Sequence, residues 1–146
     1  MTTTATPATA RPARLDLALL LLRAVVGVVF AAHGGQKLFV MGIGNVTGFF
    51  TQAGVPLPAV SAPLVAGIEF FGGIALVLGL LTRLVGLGLA IDMLGAILIV
   101  HLPNGFFLPM GVEFVLTLGA VAATLALTGA GRYSVDHAIA ARRAGG

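Results

Sequence analysis

Four stretches of the chain are apolar almost without interruption: residues 15–40, 59–81, 84–102 and 111–128. None alternates polar with apolar residues, so membrane strands are not predicted. Each approaches or exceeds the roughly 20 residues that a helix needs to cross about 30 Å of hydrocarbon. The pattern predicts an all-α protein whose residues 15–136 form a left-handed transmembrane four-helix bundle. Residues 1–14, small, polar and punctuated by proline, are expected to be a disordered cytoplasmic tail, and residues 137–146 a basic cytoplasmic one. A secretory leader is the competing reading of the N-terminus. Against it, Arg23 interrupts the first run, the run outlasts the ~7–15 residues of a leader core, and no small-x-small cleavage site follows.

Composition strengthens this picture. Of the 146 residues 58% are hydrophobic and 9% charged, against about 25% charged in a soluble domain. The lipid bilayer is therefore the first expected partner. The chain has no cysteine, which excludes thiol and disulfide chemistry and thiolate-held metal clusters. Its net charge is +3, but the arginines flank the apolar runs instead of clustering on a soluble face, so no nucleic acid partner is expected. Arg11, Arg14, Arg83, Arg132, Arg142 and Arg143 fall in the tails or the second connection, while the connections at residues 41–58 and 103–110 carry no Lys or Arg. Positive charge is retained on the cytoplasmic side, so both termini and the turn at Arg83 are expected inside and the two uncharged loops outside.

The first outer loop carries Val46, Phe49 and Phe50, a spacing that suits a short interfacial helix. Phe39, Phe49, Phe50, Phe106 and Phe107 would then rim the outer face. Gly72, Gly73, Gly86, Gly88 and Gly95 lie within the spans, where small residues let helices approach closely. The only two glutamates occur in matching contexts, "GIEFF" at residues 67–71 and "GVEFV" at 111–115. Upstream of each comes a Gly and, six residues later, a His: Gly27 with His33, and Gly95 with His101. This echo suggests two pseudo-repeated helical hairpins related by an axis along the membrane normal.

The charges inside the spans narrow the chemistry. At ~1.5 Å per residue, Arg23, Glu69 and Asp92 reach similar depths from three different helices. An ionisable group at mid-bilayer costs about 2.5–3.5 kcal/mol on insertion scales unless it is paired or faces a cavity, so these three are expected to form a buried polar network. Such a network could serve only to fix helix register. Nearer the outer face, Arg23, Phe30, His33 and Lys37 share one face of the first helix, and Glu113, Thr117, Thr124 and Thr128 share one face of the fourth. Lys37 is long enough to snorkel to the interface; His33 is not, and needs a partner within the bundle. His101 lies half a helical revolution from Asp92, so an ideal helix aims the two apart, although Pro103 can end or bend that helix.

His33, Lys37, His101 and Glu113 are the candidates for a ligand pocket, and if both histidines and both glutamates, Glu69 and Glu113, converge they make a cluster of two imidazoles and two carboxylates near the outer face. Such a set could bind a metal, ligate haem through the two histidines, or hydrogen-bond a quinone head group and exchange its protons. Satisfied structural histidines are the plainer alternative. No metal site is assigned, quinone is the cofactor favoured over haem, and no catalytic residue is identified. No phosphate-binding or zinc-protease motif occurs.

The order of these motifs is itself informative. Arg23, "HG" and "KLF" at residues 33–39, "GVP" at 54–56, Glu69 with Gly72-Gly73 and Thr82-Arg83, His101, "GF" at 105–106, Glu113, and "GAGRYSVD" at 129–136 together resemble the DoxX family of small bacterial membrane proteins. The resemblance covers residues 23–136 and implies a four-helix protein of the bacterial cytoplasmic (inner) membrane, in a family named for quinol- and thiosulfate-linked redox chemistry. The positions matching the family pattern are Arg23, His33, Gly34, Lys37, Glu69, Gly73, His101, Glu113, Gly131, Arg132 and Asp136. Three functions fit. The first is an accessory subunit of quinone-linked redox metabolism or oxidative-stress defence, with redox proteins as partners. The second is a non-enzymatic scaffold recruiting cytoplasmic partners through its basic tail. The third is a small proton-coupled transporter using Arg23, Glu69 and Asp92, which four short helices would accommodate only as a homo-oligomer.

Overall fold

The computed structural model describes residues 12–146. Within them the secondary structure is helical throughout. Helix α1 (Ala13–Gly35) runs into a π-helical turn, Gln36–Met41, and is followed by the short α2 (Ile43–Gln52). Helix α3 (Pro58–Leu78) returns, and α4 (Thr82–Gly95) again ends in a π-helical turn, Ala96–His101. After a 3₁₀ turn at Leu102–Asn104 and a loop come α5 (Glu113–Thr128) and α6 (Val135–Ala144). Most of the expected N-terminal tail, residues 1–11, lies outside the described residues; α1 begins at Ala13. The basic C-terminal segment is helical rather than extended.

Three helical segments are long and apolar enough to cross a membrane: Ala13–Met41, Pro58–Leu78 and Thr82–Asn104. Helix α5, at 16 residues, is shorter, about 24 Å at 1.5 Å per residue, because Gly111 and Val112 belong to the preceding loop. These four form the expected helical bundle, arranged as two antiparallel hairpins, α1 with α3 and α4 with α5.

Small residues set the spacing within each hairpin. A Cβ on Gly34 would lie 2.3 Å from the Phe70 backbone N, and one on Gly73 would lie 2.3 Å from that of Ala31. The α1 and α3 backbones are thus in contact, as small-residue membrane packing permits. In the second hairpin Gly86 plays this part, its Cβ position being 2.8 Å from Ala122 O and Ala126 N. Gly88 and Gly95 face open space, so the Gly95 of the sequence echo has no packing role matching that of Gly27. The hairpins do share a plan, in which an outgoing helix ends in a π-helical turn, crosses an outer loop and returns. Their glutamates are not equivalent, since Glu69 sits within α3 whereas Glu113 opens α5.

Leu19, Val26 and Phe30 of α1, Leu76 of α3, Leu89 and Met93 of α4, and Val115, Leu118, Ala122 and Leu125 of α5 make the main core. A smaller core packs α2 on α3 through Val46, Phe50 and Ala62. The predicted loop helix therefore exists, but Val46 and Phe50 turn into the protein. Phe39, Phe49, Phe106 and Phe107 remain exposed, while Phe50 leaves the expected rim.

A candidate ligand cavity at the end of the bundle away from the C-terminal helix

The close approach of α1 and α3 at Gly34 brings Lys37, one helical turn further on, beside Glu69. The Lys37 ammonium donates to Glu69 Oε2 in an ion pair. The carboxylate side is nearly enclosed, its side chain 6% exposed against 21% for the lysine. Lys37 thus turns inward, where it offsets a carboxylate that would be expensive alone in the bilayer.

This pair lines a cavity of about 550 Å³ that also takes in His33, Asp92 and His101. Its other walls are apolar: Phe49, Phe50, Val65, Ile99, Phe114 and Val115 are among them. Three of the four expected pocket residues, His33, Lys37 and His101, therefore share one space with Glu69 and Asp92 of the expected network, five polar groups from three spans. Asp92 and His101 share it because the wider π-helical turn between them resets the helical phase that an ideal α-helix would impose. Such turns are frequent at functional sites.

Each histidine is oriented by a backbone carbonyl. His33 Nδ1 lies 2.9 Å from Val29 O, and His101 Nδ1 lies 2.7 Å from Met110 O. A carbonyl only accepts, so both Nδ1 atoms carry the proton and donate, which in a neutral ring leaves Nε2 to accept. The His33 ring also packs on Phe114, with centroids 5.7 Å apart and planes inclined at 38°. Asp92 comes from α4 to the same cavity wall as Glu69 and Lys37. Its Oδ2 is buried and accepts no hydrogen bond from the described residues.

Glu113 is not on the cavity wall. Its Oε1 accepts from Leu108 N at 2.7 Å while its own N–H donates to Phe106 O at 3.0 Å. It thereby ties up the loop that carries Leu108, Pro109 and Gly111 to the cavity. The neighbouring Phe114 supplies the wall. The "GVEFV" echo marked the right segment, but the side chain facing the cavity is the aromatic one.

Arg23 lies apart from Glu69 and Asp92. Its guanidinium is buried and donates to Leu76 O at 3.1 Å, to Val77 O and to Tyr133 O. Counting residues gave its backbone depth but not the reach of its side chain, which runs to the end of α3 where helix carbonyls lack intrahelical partners. There it joins a clamp made by the "GAGRYSVD" segment. Asp136 accepts from Leu81 N at 2.7 Å and Thr82 N at 2.9 Å, so it caps α4. The buried Asp16, not singled out by the sequence, accepts from Arg132 N at 3.1 Å. An acid within "RLDLALLLL" was the available signal.

Among the described residues no three His, Cys, Asp or Glu side chains come together as a metal-binding group. The polar groups line one cavity without forming a chelate.

The comparisons with known proteins bear on the same region. The DoxX family model matches residues 18–102. The chain is 35% identical over 121 residues to "Putative oxidoreductase CatD" of Bacillus subtilis (strain 168), covering 83% of this chain and 86% of that protein. It is 33% identical over 138 residues to "Uncharacterized membrane protein Rv3486" of Mycobacterium tuberculosis (strain ATCC 25618 / H37Rv), covering 83% of this chain and 80% of that protein. No solved structure gives a significant match.

Proposed function

This chain is a membrane protein of the DoxX family, and from that premise we propose that it is an accessory subunit of quinone-linked redox metabolism or oxidative-stress defence. The observation that carries the reading is the convergence of His33, Lys37, Glu69, Asp92 and His101 on one otherwise apolar cavity. Few, placed polar groups in an apolar recess are what a small-molecule site requires. A flat ring with polar substituents fits this donor set: Phe114 and the His33 ring offer a face, and the histidine Nε2 atoms offer acceptors for its polar edge. A bound quinone would supply two-electron redox chemistry. The protein's own part is to orient the ring, hold protons at histidine and carboxylate atoms, and keep water out. The Bacillus subtilis relative, "Putative oxidoreductase CatD", agrees with this reading.

The distribution of arginines supports insertion in the bacterial inner membrane with the α6 end in the cytoplasm and the cavity toward the outer leaflet. Redox proteins that exchange electrons with the ligand are the expected partners. The test is copurification. Quinone should accompany the wild-type protein and be depleted in His33→Ala; equal loading of both would overturn the site assignment.

A second reading draws on α6, which has no buried residue and carries Arg142 and Arg143 in its last turn. On this reading the helix recruits cytoplasmic partners and the cavity is structural. Partner capture that survives removal of residues 137–146 would count against it.

A further inference from the structure

The polar atoms of the cavity are unevenly divided between donors and acceptors. Both histidines spend their Nδ1–H on backbone carbonyls, His33 on Val29 and His101 on Met110. Each therefore presents only an Nε2 lone pair. Asp92 adds an oxygen that is buried and receives no hydrogen bond, and Glu69 adds a carboxylate whose Oε2 accepts from Lys37. The cationic donor on the cavity wall, Lys37, spends one of its three N–H donors on Glu69. Asp92 Oδ2 stays at a cost until a donor arrives, because a buried acceptor without a partner loses its solvation uncompensated.

We propose that this hydrogen-bond polarity makes the cavity selective for ligands bearing hydroxyl donors on an aromatic ring, so that it holds the hydroquinone form of a quinone in preference to the oxidised form. The proposal rests on the reading of the cavity as a quinone-type site. A hydroquinone brings two O–H donors to the acceptors at His33, His101 or Asp92. A quinone brings only carbonyl acceptors, which meet lone pairs at the histidines and find a side-chain donor only in the ammonium that Lys37 shares with Glu69. The π-helical turns Gln36–Met41 and Ala96–His101 are what place Lys37 and His101 on the wall together, so the polarity is built by the backbone as well as the side chains. Preferential binding of the reduced form raises the reduction potential of the bound couple by linkage. A tenfold preference corresponds to about 30 mV for a two-electron couple.

The test uses the full chain in nanodiscs and a tail-free probe, 2,3-dimethoxy-5-methylbenzoquinone, alongside its hydroquinone and the dimethyl ether of that hydroquinone, titrated anaerobically by calorimetry. The hydroquinone should bind at least about tenfold tighter than the quinone, and the ether, which keeps the ring but has no O–H, should lose that advantage. Phe in place of either histidine (His33→Phe, His101→Phe) should shrink the ratio chiefly by weakening the hydroquinone. The wild-type ratio decides whatever the stability of the variants. Equal binding, or tighter binding of the quinone, would overturn the polarity proposal while leaving a quinone site in place. If none of the probes bound, the quinone-site reading would fall together with it.

Discussion

Lys37, in the π-helical turn that follows α1, is ion-paired with Glu69 in the middle of α3, inside the wall of the cavity. The relationship ties the two helices of the first hairpin at the depth where the candidate site lies. Breaking a buried pair from one side leaves an uncompensated charge, which typically costs about 3–5 kcal/mol. The lysine's partial exposure places Glu69→Gln and Lys37→Met at or below the lower end of that range. The double variant should be less destabilised than the sum of the singles, which thermal unfolding in detergent would measure. Additive losses would mean the two groups do not depend on each other.

Gly34 tests the backbone contact beneath that pair. Adding a methyl group 2.3 Å from the Phe70 N has to push α1 off α3. Gly34→Ala should therefore lower the melting temperature and weaken ligand retention together. Gly88→Ala, where nothing lies within 4 Å, should be neutral or more stable by up to about 1 kcal/mol through helix propensity. Similar melting of the two variants would contradict the packing described.

Asp136 tests the inner clamp. Its carboxylate takes both Leu81 N–H and Thr82 N–H, and Leu81 has a left-handed backbone at φ 49°, a conformation that non-glycine residues adopt at a cost. Asp136→Ala should cost about 2 kcal/mol, at the upper end of helix-cap losses, and Asp136→Asn less. Because the cavity lies at the other end of the bundle, quinone content per folded protein should not change.

How far these features could be read in advance depended on what each residue needed. The bundle helices were legible because bilayer crossing is a one-dimensional demand on length and apolarity, although α5 is shorter than its apolar run. The clustering of His33, Lys37 and His101 was legible as a face on α1 and as a motif order, but the phase of His101 was not, since a π-helical turn leaves no periodic signature in six apolar-rich residues. Arg23 was misplaced for a different reason: a long side chain can find carbonyls far from its Cα, and Leu76, Val77 and Tyr133 are remote from it in sequence. Glu113 and Phe114 show the limit of motif matching. The echo located the segment, yet only the loop bond to Leu108 decided which of the two side chains faces the cavity.

The C-terminal helix separates the two functional readings. Because α6 has no buried residue and Asp136 precedes most of it, a chain ending at Asp136 should melt within a few degrees of wild type and keep its quinone. A large drop in stability would show that α6 braces the bundle.

The measurement that bears most directly on the role of the cavity precedes any mutation: a dithionite-reduced-minus-oxidised absorption spectrum of the purified protein, with organic extraction of the same sample. A cavity lined by His33, Lys37, Asp92 and His101 that serves quinone chemistry predicts about one extractable quinone per chain and its redox difference band. A blank spectrum with an empty extract would contradict that role and leave the polar cavity as architecture.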